Sequence, residues 1–147
     1  MDKIYLFTIG FAKKNAKIFF TKLKEAEIHK LIDIRLNNIS QLAGFAKRDD
    51  LKYFLRELCA CDYIHLPAFA PTKELLDNYK NKKISWTEYE KHFNELIMVR
   101  KVHTLIKASD LQRACLLCSE PTPDKCHRRL VAEYLRKYFD NIEINHL

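Results

Sequence analysis

Glycine is nearly absent from this chain: Gly10 and Gly44 are the only two among 147 residues. That scarcity excludes phosphate loops built on repeated glycines, such as G-x-G-x-x-G, and no P-loop pattern occurs. Long hydrophobic runs are missing as well. The apolar stretch near the start, Ile4 to Ile9, is too short for a membrane span or the core of an export signal. Asp2 precedes it and no small-residue cleavage pattern follows it. No basic block is long enough to read as a nucleic-acid-binding tail.

What remains is an ordinary globular composition, 48% hydrophobic and 31% charged. The length suits a single domain over residues 1–147 with a sizeable core. Five cysteines, an odd number without an export signal, point to the reducing cytoplasm and to free thiols, not a disulfide scaffold. The net charge of +7 favours anionic partners: phosphates, nucleotides, nucleic acid or acidic proteins. It is equally what a solvated lysine-rich surface carries, as in Lys80 to Lys83.

Apolar and patterned segments alternate. Ile4 to Ile9, Leu31 to Arg35, Asp62 to Leu66, Ala114 to Leu117 and Ile142 to Ile144 read as strands. Helical periodicity follows Asn15, a capping residue, with Ile18, Phe19, Leu23 and Ala26 on one stripe. Leu36 to Lys47 reads as a loop, after which Asp49 or Asp50 caps a short helix. Another helix starts near Thr72. Ser85-Trp86-Thr87-Glu88 is a capping box that opens a long helix from Trp86 to about Ile106. Thr122 and Pro123 fit the cap and first position of a last helix. The expected architecture is α/β: a mostly parallel sheet covered by helices on both faces, with a helical segment around 72–106.

In a parallel sheet all strand carboxyl ends share one edge, where open α/β sheets place their sites. This edge would receive Thr8, Gly10 and Phe11 from the first strand, Asp33, Arg35, Asn37 and Asn38 from the second, and His65 from the third. The fourth would deliver Cys118 and Glu120, and the last helix would open on Cys126, His127 and Arg128. Asp33 and Arg35 share a strand face, so either a structural ion pair or an oriented guanidinium that binds an anion fits them. A helix N-terminus and flanking cations favour a thiolate at Cys126. Cys118 or Cys126 can then serve as nucleophile, with Glu120 or His127 moving protons. Thr8, Gly10, Asp33, Arg35, His65 and Arg128 make up the expected substrate-binding set.

Other constellations are weaker. Cys115 and Cys118 have C-x-x-C spacing, but in a strand an offset of three places the thiols on opposite faces. Cys118, Cys126, His127 and His65 are possible zinc donors, yet adjacent Cys-His ligation is awkward, and no metal or cofactor is assigned. His29, His92, His103 and His146 read as solvated surface residues. Trp86, Tyr89 and Phe93 read as core or lid packing.

Taken together, Thr8-Ile9-Gly10-Phe11, Asp33-Ile34-Arg35, Leu66-Pro67, Leu117-Cys118-Ser119-Glu120 and Cys126-His127-Arg128 resemble the family known as domain of unknown function 488. The resemblance runs from the first strand to the last and so covers nearly the whole chain. It implies a compact cytoplasmic α/β domain and brings no substrate or reaction with it. Members of that family often carry His-Ser after the first glycine, where this chain has Phe11-Ala12.

The expected function is that of a small enzyme, or a domain descended from one, acting on an anionic, phosphate-bearing or nucleic-acid-related substrate. The alternatives are a non-catalytic module for anions or nucleic acid, and a structural Cys/His cluster in a protein-interaction domain. No membrane association is expected.

Overall fold

A computed structural model describes residues 3–39, 44–120 and 122–147. Residues 40–43, within the expected loop, and Pro121, between Glu120 and the expected cap Thr122, lie outside the described residues. Five strands form one sheet in the order β3-β2-β4-β1-β5: β1 (Ile4–Gly10), β2 (Lys30–Asp33), β3 (Asp62–His65), β4 (Ala114–Cys118) and β5 (Ile142–His146). Every neighbouring pair is parallel. Strand β4 lies in the centre and is buried along its whole length, as expected of a strand covered on both faces.

Two helices cover one face. Helix α1 (Ala16–Glu25) and helix α2 (Arg48–Cys59) lay Phe19, Phe20, Leu23, Leu51 and Leu55 against Phe7, Ile9, Leu31 and Leu117. On the other face are α3 (Lys73–Lys80), α4 (Trp86–Arg100) and α6 (His127–Tyr138). There Phe93, Ile97, Val131 and Leu135 pack on Leu6, Ile32 and Leu116. The short α5 (Ala108–Leu111) leads into β4.

The caps act where their side chains predict. Asn15 accepts from the Ile18 amide at 2.8 Å, and Thr72 from the Leu75 amide at 3.1 Å. The Ser85 hydroxyl and the Glu88 carboxylate satisfy each other's backbone amides.

Three boundaries differ from expectation. Helix α2 starts at Arg48, preceded by Lys47 without a side-chain cap. Asp49 and Asp50 lie inside its first turn, where they act on the helix dipole. Helix α4 stops at Arg100 because Lys101 turns left-handed, with φ 51°, and a 3-10 turn over Val102–Leu105 follows. The last helix begins at His127 with Cys126 as its N-cap. Cys126 is extended, with φ −138° and ψ 140°, which breaks any helix started at Pro123.

Candidate functional site

The carboxyl edge of β2 is organised around Asp33, which is fully buried. Its carboxylate accepts from Arg35 Nε and Nη2, each at 2.8 Å, from the Arg35 backbone amide at 3.1 Å, and from the Tyr63 hydroxyl at 2.6 Å. Asn38 in turn donates to the Tyr63 oxygen at 3.0 Å. Burial and the bond to Asp33 raise the Tyr63 pKa, so the hydroxyl stays a donor. Arg35 is only 2% exposed and packs its guanidinium over the Phe11 ring, 5.5 Å from the centroid. Its third nitrogen, Nη1, is buried without a hydrogen-bond partner among the described residues. His65 donates through Nε2 to the Arg35 carbonyl at 2.9 Å, since a carbonyl can only accept. A fork, a ring and two backbone contacts thus hold one guanidinium in place, with one edge left over.

Strand β1 ends at Gly10. A Cβ built there would collide with the Glu120 carbonyl and the Arg128 guanidinium, so only glycine fits this approach. Arg128 is fully buried. Its Nη1 donates to the Glu120 carbonyl at 2.6 Å and to Cys118 Sγ at 3.5 Å, while Nε and Nη2 have no partner among the described residues. No carboxylate forms an ion pair with it among those residues, and burial lowers its pKa. Burial together with the Arg128 charge lowers the pKa of Lys14. Arg128 thus adds to this edge a buried positive charge without an ion-paired carboxylate among the described residues, on which the Glu120 charge acts from the rim.

Cys118 closes β4 and Cys126 caps α6, and their sulfurs are brought into disulfide contact. This departs from the expectation of free thiols, while the proximity of Cys126 to Cys118 at the sheet end is as expected. The end of the central strand and the start of the last helix converge on one point. Cys59, Cys61 and Cys115 remain free. Cys115 packs in the α1–α2 core, on the face opposite Cys118, as strand alternation requires. A ring nitrogen of His127 and the two sulfurs all lie within 4.8 Å of one another. His127 Nε2 donates to the Ile34 carbonyl at 2.7 Å, which leaves the lone pair on Nδ1. Burial pushes the His127 pKa down to about 4, against the upward pull of the Ile34 bond, so the ring is neutral at pH 7. Phe93 meets it edge to face.

A cleft of about 150 Å³ opens over these groups. Of the residues expected at this edge, Arg35, Asn37, Cys118, Glu120, Cys126 and His127 line it. Asp33 and His65 bond Arg35, Arg128 bonds Cys118 and the Glu120 carbonyl, and Gly10 leaves room for that approach, whereas the Thr8 side chain makes no bond to the lining among the described residues. Glu120 serves the edge through its backbone carbonyl, and the residue itself is exposed at the rim. Thr8 is buried and bonds His146 Nδ1 at 2.5 Å, so His146 is exposed as expected but is not isolated. His103 is half-buried and not isolated either: it stacks on Tyr138 and bonds the Tyr134 hydroxyl at 2.7 Å.

Tyr79, Trp86 and Tyr89 form one wall of the cleft, and Lys80 and Lys125 add two cations. The rings pack on each other at centroid distances of 5.1 to 5.5 Å. Trp86 and Tyr89, expected as core or lid packing, pack on each other and line the cleft. Their spacing along α4 signals a shared stripe, but which space that stripe borders depends on the placement of α3. Tyr63 was missed because its role comes from the register of β3 on β2.

This arrangement offers several chemistries. As free thiols the pair sets a nucleophile beside a neutral imidazole. As thiolates with that imidazole it provides three donors for a borderline cation. Oxidised, it closes a disulfide. Arg35 adds a fixed cation on the same cleft. No curated protein and no solved structure matches the chain. The family model described as domain of unknown function DUF488 matches residues 15–135, from the cap of α1 into α6, and the chain belongs to that family.

Proposed function

We propose that this protein is a small enzyme whose cleft at the carboxyl edge of the sheet takes an anionic, phosphate-bearing substrate. Arg35 holds the anion, and the Cys118, Cys126 and His127 group reacts with the substrate. Nucleotides and nucleic-acid ends fall within this substrate class. The observation that carries the reading is Arg35 itself: a guanidinium 2% exposed and forked onto Asp33, on a residue that lines the cleft, with Nη1 unpartnered among the described residues. Removing a charge from water costs several kcal/mol. Asp33 offsets that cost for two nitrogens and leaves the third to a ligand. Phosphate oxygens suit such a planar donor edge, and the N-terminus of α6 and Lys125 add favourable potential beside it.

The test is a titration with phenyl phosphate, followed by calorimetry, on the wild type and on Arg35→Lys, which keeps the charge and loses the fork. Binding to the wild type is expected, weakened by about tenfold or more in the variant, the equivalent of one charge-assisted hydrogen bond. Because Asp33 needs a cation, a urea melt of the variant checks that it is folded. Lys125→Ala, at the rim, serves as a milder second variant. Equal affinity in wild type and Arg35→Lys would remove Arg35 from the site.

A further inference from the structure

We propose that Cys118, Cys126 and His127 form a zinc site whose fourth coordination position opens to the cleft. Only that last feature rests on the proposed function. The three donor groups come from two elements that the fold brings together: Cys118 from the end of the central strand, Cys126 and His127 from the start of α6. Their ligand atoms lie within 4.8 Å of one another. The adjacency of Cys126 and His127, awkward in a regular helix, is relieved because Cys126 is an extended N-cap and His127 the first helical residue.

Surrounding contacts suit ligation. A metal-binding histidine usually donates its other ring N–H to a carbonyl or carboxylate, which fixes the tautomer. His127 does this through Nε2 to the Ile34 carbonyl at 2.7 Å, leaving Nδ1 for a metal. Arg128 Nη1 donates to Cys118 Sγ at 3.5 Å, a contact that favours a thiolate. Both cysteines are buried, so their thiolates would be shielded from solvent. The Cα atoms of Cys118 and Cys126 are 7.4 Å apart. Disulfides usually span roughly 4.4 to 6.8 Å between Cα atoms, whereas two thiolates sharing one metal, each at about 2.3 Å, stand wider.

Two thiolates and an imidazole select zinc among the common divalent cations. Three protein ligands rather than four is the pattern of a reactive zinc, which keeps one position for water or a substrate oxygen. Cys118, Cys126 and His127 all line the cleft, as does Arg35, so an anion held by Arg35 would share the cleft with that position.

The full chain, purified under reducing conditions, is the material for the test. Its zinc content is measured by mass spectrometry, and the zinc is then exchanged for cobalt(II), read by absorption. One zinc per chain is expected, with a thiolate-to-cobalt charge-transfer band in the near ultraviolet. Cys126→Ser and His127→Ala should each weaken cobalt binding by about 100-fold or more, beyond the 10–100-fold of an outer-shell change. Cys59→Ser, outside the cluster, should leave it unchanged. No retained zinc together with no charge-transfer band would overturn the proposal. So would a Cys118–Cys126 disulfide that persists in glutathione buffer. Phenyl phosphate binding to the reduced, metal-free protein separates the two readings: if it still depends on Arg35, the anion site stands whatever the fate of the metal.

Discussion

Asp33 illustrates how much one side chain does here. It accepts from three groups of Arg35 and from Tyr63, and removing it leaves a buried cation without a counter-charge. Asp33→Ala should therefore destabilise the fold by about 3–5 kcal/mol, whereas Tyr63→Phe should cost about 1.5–3 kcal/mol, the range for hydrogen bonds to charged groups. Urea denaturation of both variants measures the difference. At Gly10, a methyl group would meet backbone at Glu120 and the rigid guanidinium of Arg128. Gly10→Ala should exceed the roughly 1–3 kcal/mol of ordinary overpacking, read by the same assay. Cys61, its pKa pushed by burial up to about 12, and Cys115, held well above the usual thiol range by full burial, should resist iodoacetamide at pH 8 until the protein unfolds. Rapid labelling of either in the native state, seen by mass spectrometry, would contradict their burial. The Asp33–Arg35 pair was legible from alternation along a strand. Tyr63 was not, because it reaches Asp33 across strands from a residue with no polar motif around it.

Elements began where capping chemistry is local and ended where it is not. Asn15, Thr72 and Ser85 each bond an amide three residues on, a contact written within four residues of sequence. Ser85→Ala, which breaks the capping box, should cost about 1 kcal/mol. Helix ends were harder to place because so little glycine marks them. Lys13, Glu27, Ala60, Lys82, Lys101, Arg113 and Asn141 take positive φ in its stead. Lys101 therefore ends α4 without the residue that usually signals such a stop. An L-residue pays roughly 1–2 kcal/mol for that conformation, and glycine's greater unfolded freedom offsets part of the relief. Lys101→Gly should stabilise the protein by about 0.5–1 kcal/mol, seen as a higher urea midpoint with an unchanged slope. A loss of stability would mean that Lys101 makes contacts beyond its backbone.

For the whole molecule, the parallel sheet and its helical cover could be read from the alternation of β-rich and amphipathic segments. The strand order could not. Placing β4 between β1 and β2 depends on pairings between residues more than 80 positions apart, such as Leu31 with Cys115. That insertion sets Cys118 beside Gly10 and lays Arg128 over both. Convergence of Arg35, Cys118, Cys126 and His127 on one edge was legible because parallel strands share a carboxyl edge. The aromatic wall was not, since it needs α3 to fold against α4. No helix among the described residues is long and apolar enough to cross a membrane. Amide chemical-shift mapping during a titration with inorganic phosphate distinguishes anion recognition at this edge, as proposed, from binding to the lysine-rich surface. Perturbations should cluster at Arg35, Asn37, Ser119 and His127 and saturate together. Shifts spread over Lys80, Lys82, Lys83 and other exposed lysines, with the cleft silent, would contradict it.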